Sequence, residues 1–226
     1  MLVVYRIAGI PSTNPSPVYQ EDKRKLNELC LKSFVFAFRN VNPKMHFLLD
    51  LCDDSYIEML KELVPFEYKY EMTELGINGT ALRAYEVAEQ ANDLILFQEC
   101  DYLYRGSVGV QVEEAIRHFK LFSPYDHPDF YERYDIHPLE VELQIFGGTH
   151  FRKSRRNTMT FGMTKQAFTD CKHILNKYGY LDNDVWIEMA THGYKLWTPI
   201  PAFATHMAKD YMSPAVPWEV LIGLYK

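Results

Sequence analysis

The chain has 226 residues, 47% of them hydrophobic and 24% charged, and a domain of this size buries roughly 70% of its unfolded surface without help from a metal or disulfide staple. Thirty acidic against 24 basic side chains give a formal charge of -6, which argues against a dedicated nucleic-acid binder. Aromatic residues reach 15%, mostly core by expectation, though Tyr-rich surfaces also suit flat polar ligands such as sugars and bases.

Short apolar runs alternate with helix-period segments, the pattern of an α/β layer fold. Leu2–Ala8 reads as a buried first strand, closed by Gly9-Ile10-Pro11 and a Pro-rich loop reaching Pro17. From Gln20 the apolar positions Leu26, Leu29, Cys30, Phe34, Ala37 and Phe38 keep a 3.6 period, which predicts a long amphipathic helix. Residues 45–51 form a second strand, and Ser55-x-x-Glu58 is a capping box opening a helix to Val64. Phe66, Tyr68 and Tyr70 alternate with charged residues as a half-exposed strand, and Ile77, Ala81, Ala84, Tyr85 and Ala88 set out another helix. Four consecutive apolar residues, 94–97, predict a strand buried on both faces. Beyond it come a helix over 111–121, strands near 141–146 and 158–163, and a helix capped by Thr164. A short helix after Asp184 and a strand near 195–198 complete the series. No repeat or linker interrupts the series, so one domain is expected.

Cys30, Cys52, Cys100 and Cys171 form no CxxC pair, which fits neither a zinc module nor a dense disulfide framework and favours a reducing compartment. The opening residues turn polar too soon for a signal peptide, and no run reaches the ~20 apolar residues of a membrane span. A cytoplasmic location is expected, with peripheral membrane contact left open. Phosphate-loop, GxGxxG and GxSxG signatures are absent.

The informative motif is Glu99-Cys100-Asp101 at the end of the apolar strand. Alternation puts both carboxylates on one side and Cys100 on the other. Such a pair needs a positive partner, and Mg²⁺ or Mn²⁺ would supply one while taking water and phosphate oxygens as remaining ligands. The bland alternative is two carboxylates solvated at a strand end. A second acidic pair, Asp182 and Asp184, opens a helix before Trp186; one could cap and the other act as general base, or both could be structural. His206 ends an extended apolar stretch. The run from His150 to Arg156 carries Arg152, Lys153, Arg155 and Arg156, an ordinary solvated loop or an attractor for an anionic substrate or membrane surface.

In this order the motifs resemble those of the GT-A glycosyltransferases. The resemblance implies an α/β fold with a Rossmann-like mixed β-sheet flanked by helices, in a single domain. Residues 1–105 would bind the nucleotide sugar, and 106–226 would bind the acceptor and carry the catalytic base. Glu99-Cys100-Asp101 looks like the family's DxD element, with Glu for the first Asp. His206 matches the late His that in many members completes the metal or diphosphate site, and with Asp101 and Glu99 it would hold Mn²⁺ or Mg²⁺. Asp184, or Asp182, would be the base of an inverting reaction. Arg6, Ala8, Gly9, Asp50, Asp53, Arg83, Glu99 and Asp101 fall on the donor side. Gly162, Trp186, Arg155 and Arg156 fall on the acceptor side. The implied activity is metal-assisted transfer of a sugar from a nucleotide-diphosphate sugar to a hydroxyl of a carbohydrate or other acceptor. The rivals are a sugar nucleotidyltransferase, which should carry a Gly-rich loop in place of Gly9-Ile-Pro-Ser-Thr-Asn-Pro15, and a catalytically inactive nucleotide- or sugar-binding protein.

Overall fold

The first strand, β1 (Leu2–Ala8), is buried from Val3 to Ile7 and takes a parallel neighbour on each side. It belongs to a computed structural model that describes residues 1–11, 14–132, 142–155 and 157–226. The first half continues with α1 (Lys23–Phe38), β2 (Lys44–Asp50), α2 (Ser55–Leu63), β3 (Tyr68–Thr73), α3 (Gly76–Ala88) and β4 (Leu94–Glu99). Next come β5 (Tyr102–Tyr104), α4 (Gly109–Phe119), β6 (Leu121–Phe122), α5 (Asp129–Glu132), β7 (Leu143–Phe146) and β8 (Thr149–Ser154). The chain then forms β9 (Phe161–Thr164), α6 (Lys165–Tyr178), α7 (Asp182–Thr191), β10 (Leu196–Ile200), β11 (Ala204–His206) and α8 (Trp218–Tyr225).

Among the described residues nine strands make one mixed sheet in the order β3-β2-β1-β4-β9-β6-β10-β8-β7, and β11 pairs with β5 beside it. β3, β2, β1 and β4 are all parallel, while β9 runs antiparallel between β4 and β6. β1 is followed by β2 on one flank, and the chain later returns to β4 on the other. The sheet therefore changes winding direction between β1 and β4, where open α/β sheets leave a crevice beyond the carboxyl ends of their strands.

Alternation in β1 and β4 builds two cores. Val3, Tyr5, Ile7, Leu94 and Leu96 pack under Phe34 and Phe38 of α1, Met59 and Leu60 of α2, and Ile116 of α4. Val4, Ile95 and Phe97 face Ala84 and Tyr85 of α3, Phe168 of α6 and Trp186 of α7. At about 1.5–3 kcal/mol for each large side chain fully buried, β4 alone anchors both helical layers. Cys100 belongs to the first core, as alternation from Glu99 and Asp101 predicts.

Several expectations change in detail. Ser55 does not cap α2; instead the Asp53 carboxylate accepts its backbone N–H at 2.9 Å. Thr164 does cap α6, accepting from the Ala167 N–H at 3.2 Å. α7 begins at Asp182, two residues early. The basic run expected as a loop is largely strand β8, paired with both β10 and β7. Among the described residues no helix is long and apolar enough to cross a membrane.

Candidate functional site

Two charged clusters meet at the carboxyl ends of β1 and β4. Arg6 and Glu99 are register partners, and Arg6 Nη2 donates to Glu99 Oε1 at 2.9 Å. Arg6 Nη1 also donates to the Ile77 carbonyl at 3.3 Å, tying the pair to the first turn of α3. Glu99 Oε2 accepts from the Thr160 hydroxyl at 3.3 Å. Burial raises the Glu99 carboxyl above its ordinary range; Arg6 opposes that shift and the Asp101 charge adds to it.

Asp101 follows β4 directly. Its carbonyl accepts the Met207 N–H at 2.7 Å, which pins the end of β11 against it. Its Oδ2 lies 3.5 Å from Lys23 Nζ and 3.5 Å from His206 Nε2. The His206 ring stacks on Tyr102 with centroids 5.2 Å apart and planes within 6°. Its Nδ1 is buried with no partner among the described residues. Burial works against the Asp101 charge, but His206 and Lys23 more than offset it and hold the carboxyl well below the usual range. Burial likewise opposes the His206 charge, and Asp101 overcomes it, leaving the imidazole raised. For Lys23, burial again opposes the charge while Cys100 and Asp101 raise the ammonium. Since burial keeps the Cys100 thiol raised and protonated, Asp101 is the anion that matters.

Lys23 is the first residue of α1, placed there because Asp22 caps the helix by accepting the Lys25 N–H at 3.0 Å. Sequence reasoning passed over it. The available signal was a cation at a helix N-terminus, where the helix dipole disfavours positive charge. Lys23, Asp101 and His206 line a recess of about 20 Å³ with Asn14, Ser16 and Tyr19, space for roughly one water.

The expected Mn²⁺ or Mg²⁺ site finds both of its carboxylates already paired with protein cations, Glu99 with Arg6 and Asp101 with Lys23. Among the described residues no cluster of three His, Cys, Asp or Glu side chains offers a protein-only metal site, although such an ion needs only one or two carboxylates beside water and phosphate oxygens. Asp101 Oδ2 lies 3.5 Å from both the Lys23 ammonium and His206 Nε2.

The remaining donor-side residues are held by neighbouring protein groups. The Ala8 carbonyl accepts from Asn27 at 3.1 Å. Gly9 donates to the Asp50 carbonyl at 2.9 Å, and a Cβ at Gly9 would stand 2.1 Å from the Leu51 carbonyl oxygen. Asp50 accepts from the Thr73 hydroxyl at 2.9 Å and the Leu75 N–H at 2.7 Å, fixing the β3–α3 turn. Arg83 is engaged beside the edge strand β3 by Glu71, which it meets through Nε and Nη2 at 2.9 Å each, and by Glu86.

On the acceptor side, Trp186 is a core residue, 2% exposed, its indole N–H donating to the Asn157 carbonyl. Gly162 is buried between strands, and a Cβ there would lie 2.3 Å from Ile116 Cδ1. Neither is open to a substrate. Arg152 forms a buried ion pair with Asp126, and Lys153 pairs with Glu142, so strand alternation disperses the basic run. Arg155 is exposed, and Arg156 lies outside the described residues.

The two aspartates of α7 part company. Val185, Trp186 and Met189 form its buried face. At about 100° per residue, Asp182 falls within that stripe and Asp184 about 200° away, on the solvent face. Tyr180, just before the helix, has its phenol raised by burial and then by the charges of Glu99, Asp182 and Asp101, with Arg6 opposing. Tyr180 thus joins Asp182 electrostatically to the strand-end cluster.

No protein-family model matches the chain, and no curated protein matches it. Solved structures do. A 4-diphosphocytidyl-2C-methyl-D-erythritol synthase from Anaerococcus prevotii overlaps 99% of this chain and 95% of its own, with TM-score 0.53 and 10% identity. The inositol-1-phosphate CTP transferase from T. maritima overlaps 100% and 96%, with TM-score 0.51 and 12% identity. A candidate nucleotide-diphospho-sugar transferase from Desulfovibrio desulfuricans overlaps 87% and 78%, with TM-score 0.50 and 10% identity. The chain has the GT-A-like α/β fold that nucleotide-diphospho-sugar transferases share with nucleotidyltransferases.

Proposed function

We propose that the protein transfers a sugar from a nucleoside-diphosphate sugar to an acceptor hydroxyl, with inversion at the anomeric carbon. The observation that carries this reading is the convergence of Arg6–Glu99 and Lys23–Asp101–His206 at the β1–β4 switch point. There Arg6 and Glu99 would orient the donor, and Lys23 and His206 would face the charge of the leaving diphosphate. Asp182 would take the acceptor proton as its oxygen attacks the anomeric carbon, while the bond from that carbon to the diphosphate oxygen breaks. The charge left on the diphosphate is the charge the cations meet.

A nucleotidyltransferase reading has one observation in its favour, the overlap of two cytidylyl-type enzymes along nearly their whole length. Against it, the loop after β1 holds Pro11, Pro15 and Pro17 and no glycine beyond Gly9, so it lacks a run of free backbone donors for a triphosphate. Incubation with a panel of nucleotide sugars, and separately with CTP or UTP and a sugar phosphate, separates the two. Nucleoside diphosphate release is expected; pyrophosphate release would replace the proposal with its rival.

A further inference from the structure

We infer that Lys23, with His206, occupies the place of the divalent cation, so that this site takes a nucleoside diphosphate without metal. The inference rests on the sugar-transfer reading of the site. Three observations carry it. Lys23 Nζ sits 3.5 Å from Asp101 Oδ2, and the Lys23 side chain is only 7% exposed. His206 Nε2 approaches the same oxygen from β11, so the carboxylate is flanked by two groups that carry or can accept positive charge. A divalent ion at that oxygen would meet a like charge on the ammonium.

The third observation is the position of Lys23 at the start of a 16-residue helix. The positive end of the helix dipole disfavours an ammonium there, and both favour an anion. Asp101 pairs with Lys23, and Arg6 and Glu99 balance each other. A diphosphate would find the Lys23 ammonium and the His206 imidazole on the same side of Asp101, two groups able to donate to its oxygens. The ammonium has three N–H donors, and the single contact to Asp101 leaves others for phosphate oxygens. The recess beside it matches one water in volume, and one phosphate oxygen is of similar size. Asp101 is then the group that positions Lys23 and His206, and its carboxylate is no metal ligand.

The test titrates UDP, GDP, CDP and ADP into the protein by calorimetry, once with EDTA and once with Mn²⁺. At least one diphosphate should bind in EDTA, and Mn²⁺ should leave that affinity essentially unchanged. Lys23→Met should weaken binding in EDTA by roughly 10- to 100-fold, the loss expected for a charge-assisted contact, and Lys23→Arg should retain most of it. Binding that appears only with Mn²⁺ would overturn the inference and leave the sugar-transfer reading standing. No binding under either condition would overturn both. Should Lys23→Met fail to fold, the EDTA comparison on the native chain and the Lys23→Arg variant still decide the matter. A folded Lys23→Met variant that binds as well as the native chain would also overturn it.

Discussion

Arg6 and Glu99 sit directly across the β1–β4 pair and meet at 2.9 Å, the Arg6 side chain 10% exposed and Glu99 20%. Each is costly to bury alone and tolerable only with the other. Arg6→Met would leave Glu99 buried beside Asp101 with Thr160 as its nearest remaining partner. We expect a loss at the lower end of ~3–5 kcal/mol, because the pair keeps some solvent access. Arg6→Met with Glu99→Leu should recover part of that loss. Urea denaturation of the single and double variants measures it, and additive losses would show that the two side chains do not depend on each other.

The opposite orientation of Asp182 and Asp184 in α7 gives the second prediction. Asp182→Asn should lower turnover by roughly 10²–10⁴ while donor binding stays near native, as expected when a positioned base is removed. Asp184→Asn should behave as native, since its side chain points to solvent. Steady-state kinetics with a donor identified by diphosphate release provides the measurement. A dead Asp184 variant beside an active Asp182 variant would reverse the assignment.

The parts of this molecule set by local pattern were legible from the residues alone. The buried run at 94–97, the 3.6 period from Leu26 to Phe38 and the Thr164 cap each depend on neighbours close in sequence. What could not be read depends on distance in the chain. Lys23 and Asp101 are 78 positions apart, and His206 lies more than a hundred residues beyond Asp101; the packing of α1 against β5 and the β5–β11 pair bring them together. Gly162 and Trp186 drew attention by residue type, yet their surroundings are packing neighbours from α4 and from the segment before β9. The Arg83 guanidinium looked available because its partner, Glu71, stands 12 residues away on β3, across the β3–α3 turn. The three short strands β5, β6 and β11 hold two or three residues each, too few for any period to show.

Arg83 gives a prediction in pH. Its hydrogen bonds hold the Glu71 carboxyl below its ordinary value of 4.5, against the opposing effect of burial. A lowered carboxyl contributes stability that is fully present above the ordinary value and is lost as pH falls through the folded one. Arg83→Met should therefore cost about 0.2–1 kcal/mol at pH 7, the range for partly exposed pairs, since Arg83 is 36% and Glu71 31% exposed. The difference from the native chain should shrink once acid protonates Glu71. Denaturation at neutral and acidic pH tests this, and a gap that persists unchanged in acid would remove the ion pair as its cause. Donor affinity should not change, because Arg83 is committed to Glu71 and Glu86 beside the edge strand β3, two strands from β1.

Gly162 separates packing from substrate contact. A methyl group there would lie 2.3 Å from Ile116 Cδ1, 2.7 Å from its Cγ1 and 3.3 Å from the Ile95 carbonyl oxygen. All three belong to the packed region between β9, β4 and α4, where inserting one carbon costs about 1–3 kcal/mol. Gly162→Ala should lower stability by that amount and leave the Michaelis constant for acceptor near native. Ile116→Val removes the Cδ1 methyl that makes the shortest contact. Alone, that change should cost about 0.5–1.5 kcal/mol, as a buried Ile-to-Val change does. Combined with Gly162→Ala it should cost less than the sum, because each substitution relieves the strain or void left by the other. Thermal denaturation of the four proteins completes the cycle. A Gly162→Ala variant of native stability with weakened acceptor use would return this glycine to the acceptor wall.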